Sequence, residues 1–345
     1  MFFACIYVPD FSVEALLRTT PELREQIVAI LDGIPPMLTV IAANARARAA
    51  GIEVGMTKLQ AEACPGARLR RRSLAQETAA RDALLDCAHA FSPRVEDTNQ
   101  QLLSSDGKVK PEDTIILDIA GLDRLFGPPT MIAHEISARV SKVGLIANIA
   151  IAGNPDAAMH AARGFSGITV IPPEKEAERL GSLPVALLDL SEEMLETLER
   201  WGIRDFKSLG VLPTVALSQR LGQEGLHLQK LARGCGQRPL VPVEAVAKFE
   251  EAIELEDAVE LLDPLMFILN RMLERICARL ESRALAATEL RVALETTGHE
   301  EQSAEEQEAS RSIHQRMLQF PVPMQDSRTF LKLLQLELAA HPPQG

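Results

Sequence analysis

The amino-acid sequence predicts an α+β fold that is divided into several domains. The chain has 345 residues, more than one compact domain normally contains. Over residues 1–175, short apolar runs alternate with amphipathic segments of helical period, a pattern typical of a sheet covered by helices. Over residues 176–236 the strand signal is lost and several short helices are predicted. These patterns indicate an α/β or α+β core followed by a helical domain, with a further domain after residue 246.

Charge and cysteine content restrict the function classes. The chain carries 48 Asp and Glu against 36 Lys and Arg, a formal net charge of −12. Because nucleic-acid binders usually present a basic face, this balance argues against tight autonomous DNA binding, although a local basic stripe can still bind. Five scattered cysteines without a CxxC pair favour a reducing, cytoplasmic setting over disulfides or zinc. The sequence also lacks an apolar run long enough to span a membrane.

The first 175 residues contain well-marked elements. Strands are predicted at residues 2–8, 27–32, 37–43, 114–122 and 144–153, and helices at residues 12–18, 74–91, 129–142 and 156–163. Ser12 is a candidate N-cap for the first helix. The polar stretch 100–113 is predicted to be an exposed loop or hairpin.

The helical domain contains two glycine turns. A helix capped by Ser191 breaks at Gly202, and a later helix breaks at Gly222. Such a glycine lets backbone N–H groups approach a phosphate closely. The nearby basic residues that favour DNA backbone contact are Arg204, Lys207, Arg220, Lys230, Arg233 and Arg238. The alternative is an ordinary turn between helices. A second basic cluster, at Arg68 and residues 70–72, also fits a solvated strand edge.

The last hundred or so residues form a separate segment. After a proline-containing linker at residues 237–246, the predicted elements are strands at 248–255, 285–296 and 312–320 and helices at 262–282 and 326–339. The stretch between the two late strands is poor in apolar residues and is predicted to be an exposed loop.

Six stretches, in order along the chain, resemble the Y-family (translesion) DNA polymerases. They read "YVPDFSVEALL", "VIAANARARAAGIEVGM", "FSPRVED", "ILDIAGLDRLFG", "ANIAIAGNPDAAMHAA" and "LPVALLDLSEEMLETLERWGIRDFKSLGVLP". The likeness covers the whole chain, but residues 245–345 follow it only in pattern. The opening motif is most similar to the catalytically degenerate members found in bacterial mutagenesis cassettes.

The resemblance implies a right-hand architecture. Palm and fingers would occupy residues 1–175, with the fingers at about 25–75, and a thumb with helix–hairpin–helix turns would occupy residues 176–236. A little finger with a mixed sheet would occupy residues 247–345. Because the family's little finger has four strands and only three are predicted here, we expect this chain to lack the last strand.

The same resemblance implies that the metal site is degenerate. Active members carry two aspartates two residues apart on the first strand, where this chain has Cys5 and Tyr7. Active members also carry an Asp and a Glu at neighbouring positions of a later palm strand, where this chain has Asp113 and Thr114. Two-metal phosphoryl transfer needs carboxylates that converge on both ions, and one carboxylate does not meet that need. We therefore predict no metal site, and we expect Cys5 to pack as a small core residue.

The triphosphate-binding positions implied by the family are changed as well. The fingers carry Ala45, Arg48 and Ala49 where active members have Tyr, Arg and Lys. In the palm, Asn154 is followed by Pro155 instead of a lysine. Only Arg48 matches, and it also fits an ordinary helix-surface arginine.

These observations favour a non-catalytic Y-family polymerase homologue, without cofactor, that acts as a DNA-binding adaptor in SOS-induced translesion synthesis and DNA repair. The alternatives are a low-activity polymerase that uses Asp113 and a DNA-structure binder without a polymerase partner. The resemblance implies damaged primer–template DNA, a RecA-like accessory protein, a C-family DNA polymerase and the sliding clamp as partners. The protein contacts would lie mainly in a tail that follows the little finger.

Overall fold

The computed structural model describes residues 2–98, 113–243, 248–255, 258–296 and 312–343. It divides into two compact units, Met1–Val246 and Ala247–Gly345. The two predicted loops, at residues 100–113 and between the late strands, lie almost entirely outside the described residues.

The first unit contains the predicted mixture of strands and helices. Its strands are β1 (Phe3–Val8), β2 (Ile27–Asp32), β3 (Thr39–Ala43), β4 (Ala67–Arg71), β5 (Val95–Asp97), β6 (Asp113–Asp118), β7 (Asn148–Ala152) and β8 (Ile168–Val170). Its helices are α1 (Phe11–Thr19), α2 (Ala45–Ala49), α3 (Lys58–Glu62), α4 (Leu74–His89), α5 (Asp123–Phe126), α6 (Pro129–Lys142), α7 (Pro155–Gly164), α8 (Glu176–Leu180), α9 (Glu192–Arg200), α10 (Phe206–Gly210) and α11 (Thr214–Ala232).

The central sheet has the strand order β5-β6-β1-β7-β8. Strand β1 pairs antiparallel with both β6 and β7, whereas β7 and β8 run parallel, so the sheet is mixed. All six residues of β1 are buried, as expected for an apolar strand with a neighbour on each side.

The two faces of the central sheet pack against different elements. Because side chains alternate along a strand, the register places Cys5 on one face with Ile116 and Ala150, and Ile6 on the other face with Ile115. We call the first of these the Cys5 face. It shares one apolar core with α7 and with the helical region of residues 176–240. The opposite face packs against α4 and α6.

A smaller mixed sheet, with the order β3-β2-β4, lies within the region predicted as fingers. Between the two sheets, α1 begins at Phe11, so the prediction of Ser12 as its N-cap is wrong. Asp10 occupies the cap position with φ 50°, and its backbone carbonyl accepts hydrogen bonds from the N–H groups of Val13 and Glu14. The Ser12 hydroxyl instead donates to Glu77, 2.5 Å away.

The helical region has both predicted breaks. The Ser191 hydroxyl accepts a hydrogen bond from the Met194 N–H, which confirms the predicted cap of α9. Helix α9 ends at a turn in which Gly202 has φ 75°, and α11 is kinked at Gly222, which has φ 62°. Positive φ is a conformation that glycine adopts readily.

The second unit is built from α12 (Leu262–Ser282), β9 (Ala287–Thr296), β10 (Ser312–Met324) and α13 (Ser327–Ala340). The strands form an antiparallel pair, and both helices contribute to its core. Arg279 is almost completely buried in this unit. Its guanidinium donates to the backbone carbonyls of Lys248, at 2.6 Å, and Glu250, at 2.8 Å, and lies 3.4 Å from the Glu251 carboxylate.

The predicted strand at residues 248–255 is wrong. These residues have no strand assignment, and two of their carbonyls are bound by the Arg279 guanidinium. The described sheet of the second unit therefore has two antiparallel strands, and the mixed sheets lie in the first unit. The absence of a last strand from the little finger stays a prediction. None of the described helices is long and apolar enough to cross a membrane.

Candidate functional site

Cys5 and Tyr7, at the positions where the resemblance implies metal-binding aspartates, lie in a dry core. Cys5 is 0% exposed and Tyr7 is 7% exposed, and both belong to the apolar cluster formed with α7 and the helical region. Burial raises the pKa of the Cys5 thiol to about 12, so that it stays neutral at physiological pH. A neutral thiol is not a metal ligand. The prediction that Cys5 packs as a small core residue is confirmed.

Asp113 lies on the face of the central sheet opposite to Cys5. The register pairs Tyr7 with Thr114 and Val8 with Asp113. Since side chains alternate along a strand, Thr114 shares the Cys5 face and Asp113 does not. The one carboxylate that matches the family pattern is therefore separated by the sheet from the positions of its expected partners.

The surroundings of Asp113 disfavour its charged form. The side chain is fully buried near Arg81 and Asp97, and the Arg81 Nε lies 2.9 Å from an Asp97 oxygen. Burial raises the pKa of Asp113 to about 7, with the charge of Asp97 acting in the same direction and that of Arg81 against it. Because a carboxyl group must lose its proton to bind a metal, the raised pKa disfavours metal binding by Asp113.

The carboxylates of Asp10 and Asp118 are bound to arginines. Arg48 Nη1 is 2.5 Å from Asp10, and Arg94 Nη1 is 2.7 Å from Asp118. Within the described part of the chain, no group of three or more His, Cys, Asp or Glu side chains is arranged to hold a metal ion.

The Cys5 face carries a charged cluster that the sequence does not reveal. Glu96 pairs with Ile116 in the register and so lies on this face, fully buried. Arg238 binds both Glu96, at 2.8 Å, and the buried Asp156, at 2.5 Å, and the Val241 N–H donates to Glu96 at 2.8 Å.

This cluster corrects the sequence-based interpretation of Arg238, which groups it with the DNA-contacting residues. Two buried carboxylates require a counter-ion, and Arg238 supplies it. Residues 96 and 238 are 142 positions apart, and no local pattern links such a pair.

The start of α7 is in contact with the last part of the helical region, after α11. The Asn154 side-chain oxygen accepts a hydrogen bond from the Ala157 N–H, and its nitrogen donates to the Gly234 carbonyl at 2.7 Å. At Gly236, a Cβ atom would collide with the Asp156 carboxylate. The position that the resemblance assigns to a triphosphate-binding lysine therefore carries Pro155 beside a closely packed backbone.

Arg48, the one residue that matches the triphosphate-binding pattern in the fingers, links two elements of the fold. Besides its ion pair with Asp10, Nη1 donates to the Ala43 carbonyl at 2.6 Å. This link between α2 and the turn after β1 accounts for Arg48 without a nucleotide. A role in nucleotide binding stays a prediction.

The two glycine turns of the helical region meet at one end. The Arg220 guanidinium carbon lies 5.4 Å from the centroid of the Trp201 ring, which brings the kink of α11 beside the turn after α9. We call this site, formed by Trp201, Gly202, Arg220 and Gly222, the hairpin tip. Arg204 and Lys207, which follow Gly202, are exposed. The structure thus brings Gly202 close to Arg220 and Gly222, which are three of the residues predicted to bind DNA.

The turn between α9 and α10, which we call the first hairpin, has backbone N–H groups that already donate hydrogen bonds within the domain. The Gly202 N–H donates to the Glu199 carbonyl at 2.9 Å, so a phosphate contact through this group would have to compete with that bond. At the start of α10, the N–H groups of Phe206 and Lys207 also donate to carbonyls of the same domain, those of Leu183 and Gly181. The side-chain cations are therefore the open groups of this hairpin.

The arginine cluster near β4 is divided between surface and interior contacts. Arg68 and Arg71 are exposed, as a solvated strand edge predicts. Arg72, in contrast, forms ion pairs with Glu77 at 2.8 Å and Asp32 at 3.1 Å. This cluster helps to hold the small sheet against α4.

Comparison with known proteins identifies the first half of the chain. Residues 6–163 match the sequence profile of the IMS (impB/mucB/samB) family. ImuB of Caulobacter vibrioides is 27% identical over 218 residues, which cover 63% of this chain and 45% of ImuB. DNA polymerase IV of Alkalilimnicola ehrlichii is 29% identical over 184 residues, which cover 50% of each chain. The chain thus spans about half the length of these curated relatives, or less.

Solved structures match the fold of nearly the whole chain. DinB of Sulfolobus solfataricus has a TM-score of 0.57 at 15% identity, with 100% of this chain and 95% of that chain covered. An insertion ternary complex of the Dbh DNA polymerase has a TM-score of 0.56 at 14% identity, with 99% and 93% covered. This likeness confirms the predicted α+β fold. The chain therefore has the fold of the Y-family DNA polymerases, is homologous to ImuB and DNA polymerase IV, and carries over residues 6–163 a domain of the impB/mucB/samB family.

Proposed function

We propose that this protein is a non-catalytic Y-family polymerase homologue that acts as a DNA-binding adaptor in SOS-induced translesion synthesis, in the cytoplasm. The observation that carries the proposal is the state of the expected metal site. Cys5 and Tyr7 are packed in an apolar core, and Asp113 lies on the other face of the sheet. Since phosphoryl transfer by two metal ions requires converging carboxylates, this arrangement supports a role other than catalysis.

The proposed partners follow from the family resemblance. They are damaged primer–template DNA, a RecA-like accessory protein, a C-family DNA polymerase and the sliding clamp. The two exposed cations beside the hairpin tip, Arg204 and Lys207, support the DNA contact. In this proposal the DNA contact is weak and independent of sequence, and the protein contacts lie mainly in a tail that follows the little finger.

Primer extension at excess protein over labelled primer–template tests the proposal. We expect DNA binding but no nucleotide incorporation with Mg²⁺ or Mn²⁺ between pH 7 and 9, a range in which Asp113 becomes charged. Asp113→Ala should behave like the unmodified protein. The matched control is Asp123→Ala, which removes an exposed acid from α5.

Incorporation that is abolished by Asp113→Ala and retained by Asp123→Ala would contradict the proposal and favour a low-activity polymerase. DNA binding without any effect on extension by an added C-family polymerase would favour a DNA-structure binder without a partner.

A further inference from the structure

We propose that Trp201, held by Arg220, is a stacking platform for an unpaired base, so that the hairpin tip binds where duplex DNA meets a single strand. The inference rests on the proposed DNA-binding function and deepens it. It adds a residue to which neither the family pattern nor the basic-residue pattern assigns a role, and it gives that residue a contact with an unpaired base.

Trp201 is exposed at a fixed position. It is the only tryptophan of the chain, and 37% of its surface is accessible to solvent. Its backbone N–H donates to the carbonyls of Thr197 and Leu198, at 3.2 Å and 3.1 Å, so the end of α9 fixes its backbone. A large aromatic side chain that is held in place and left partly in water is typical of a binding surface.

Arg220 reaches Trp201 from α11, close to the kink at Gly222. Its guanidinium carbon lies 5.4 Å from the ring centroid, within the range of a cation–π contact. The two residues are 19 positions apart in sequence and are brought together only by the fold. Arg220 thus orients the ring and also places a positive charge beside it.

Trp201 is followed by an uncrowded turn and by two exposed cations, and it is preceded by the exposed Glu199. Beyond the adjoining stretch of its own chain, a Cβ atom at Gly202 or at Gly222 would have no described heavy atom within 4 Å. Arg204 and Lys207 are exposed on the same hairpin as the ring. A DNA strand can therefore approach closely, with its phosphates near the cations and a base near the indole.

The chemistry selects unpaired bases. An aromatic side chain stacks on any base with little regard to sequence, provided that the face of the base is free. Inside a duplex both faces of a base are covered by its neighbours, whereas an overhang or a gap presents free faces. The phosphate attraction is shared by all these DNAs, so stacking is the interaction that discriminates between them.

Tryptophan fluorescence provides a direct test because all of the signal comes from Trp201. Three DNAs with equal numbers of phosphates would be titrated: a blunt duplex, a duplex with a 5′ overhang, and a single strand. We expect quenching by the overhang and the single strand, and little quenching by the blunt duplex at equal saturation.

Anisotropy of labelled DNA tests the energetic contribution of the ring. Trp201→Ala should weaken binding to the overhang DNA about tenfold and leave blunt-duplex binding unchanged, since a stacked base contributes about that much or more. Trp201→Phe keeps a smaller ring, so its affinity for the overhang DNA should lie between those of the unmodified protein and Trp201→Ala. The matched control is Phe267→Ala in the second unit, which removes a 65% exposed ring that also has an arginine, Arg271, over it at 5.9 Å. This control should leave the preference for the overhang intact.

Equal quenching by blunt and overhang DNA, or an unchanged preference in both Trp201 variants, would overturn this inference. The proposed function would survive that result, because binding and its salt dependence would remain. Absence of binding to all three DNAs would overturn both the inference and the DNA-binding part of the proposed function.

Discussion

The Cys5 face and the hairpin tip differ in where their charged side chains lie: those of the Cys5 face are mostly buried, and that of the hairpin tip is exposed to solvent. On the Cys5 face, Glu96 and Asp156 are buried and share Arg238 as a counter-ion, while the expected metal-binding positions are filled by apolar packing. At the hairpin tip, Arg220 is exposed beside a partly exposed ring. The first region has the chemistry of a protein interior, and the second has that of a binding surface.

This difference determines what mutation can do in each region. A charge introduced into the Cys5 face must be desolvated, so it lowers the stability of the fold. A charge removed from the hairpin tip changes an interaction with a ligand and leaves the fold nearly unaffected. The comparison therefore predicts large effects on unfolding in one region and selective effects on DNA binding in the other.

The largest effect is expected from Cys5→Asp. The new carboxylate would lie among apolar side chains, and its nearest cations, Arg163 and Arg238, already have acidic partners. We expect the free energy of unfolding to fall by about 4 kcal/mol or more at pH 7.5. Urea denaturation measures this loss, and primer extension should still detect no incorporation. Cys5→Ala, the matched control, should cost no more than about 1 kcal/mol. If Cys5→Asp left the free energy of unfolding nearly unchanged, the Cys5 face would have to be accessible to water.

The next largest effect is expected from Arg238→Ala. This change leaves Glu96 and Asp156 buried without their shared cation, and such a loss costs about 3 kcal/mol. Arg238→Lys keeps the positive charge but not the simultaneous contact with Glu96 and Asp156. It should therefore recover part of the lost free energy of unfolding. Arg204→Ala serves as the control because Arg204 is exposed, and it should change the free energy of unfolding by less than about 0.5 kcal/mol. Equal losses for Arg238→Ala and Arg204→Ala would remove the distinction between the two regions.

A smaller, pH-dependent effect is expected from Asp113→Asn. The folded protein keeps the Asp113 proton up to a pKa of about 7, whereas the unfolded chain loses it near the ordinary value of 3.8. The folded state therefore binds more protons between these values, and the contribution of Asp113 to stability falls as pH rises from about 4 to about 7. Asparagine removes this dependence. Relative to the unmodified protein, the variant should gain about 2 kcal/mol in its free energy of unfolding between pH 5 and pH 7.

Urea denaturation across that pH range measures the difference between the two proteins. Asp123→Asn, at an exposed position, should follow the profile of the unmodified protein. Parallel profiles for Asp113→Asn and the unmodified protein would contradict the assignment of a raised pKa to Asp113.

Local signals in the sequence predicted much of the fold. The apolar run of β1, the Ser191 cap and the breaks at Gly202 and Gly222 all depend on residues within a few positions of one another. Such signals act through backbone conformation and short-range hydrogen bonds, which a single sequence records directly.

Long-range pairing could not be predicted in the same way. The segment 248–255 has the composition of a strand, but Arg279, about 30 positions away, binds its carbonyls. The orientation of Asp113 depends on the register between β1 and β6, which fixes the face that each residue occupies. The Glu96–Arg238 pair joins positions 142 residues apart. In each case the decisive contact forms only when distant segments meet.

The smallest effect is expected when a positive charge is removed near the hairpin tip. This prediction separates Arg220 from Arg238, which the sequence analysis groups together as DNA-contacting residues. Arg204→Gln, Lys207→Gln and Arg220→Gln should each reduce the slope of log affinity against log salt by roughly one unit for every phosphate that the variant no longer neutralises. Affinity should fall equally for different DNA sequences, and the free energy of unfolding should stay nearly constant because these side chains are exposed. Arg68→Gln, an exposed change at β4, should leave the slope unchanged. Arg238→Gln should show the reverse of the hairpin variants, with a loss of stability and an unchanged slope for the protein that remains folded. If Arg238→Gln lowered the salt slope while the three hairpin variants did not, the Cys5 face would be the DNA-binding surface and the hairpin tip would be structural.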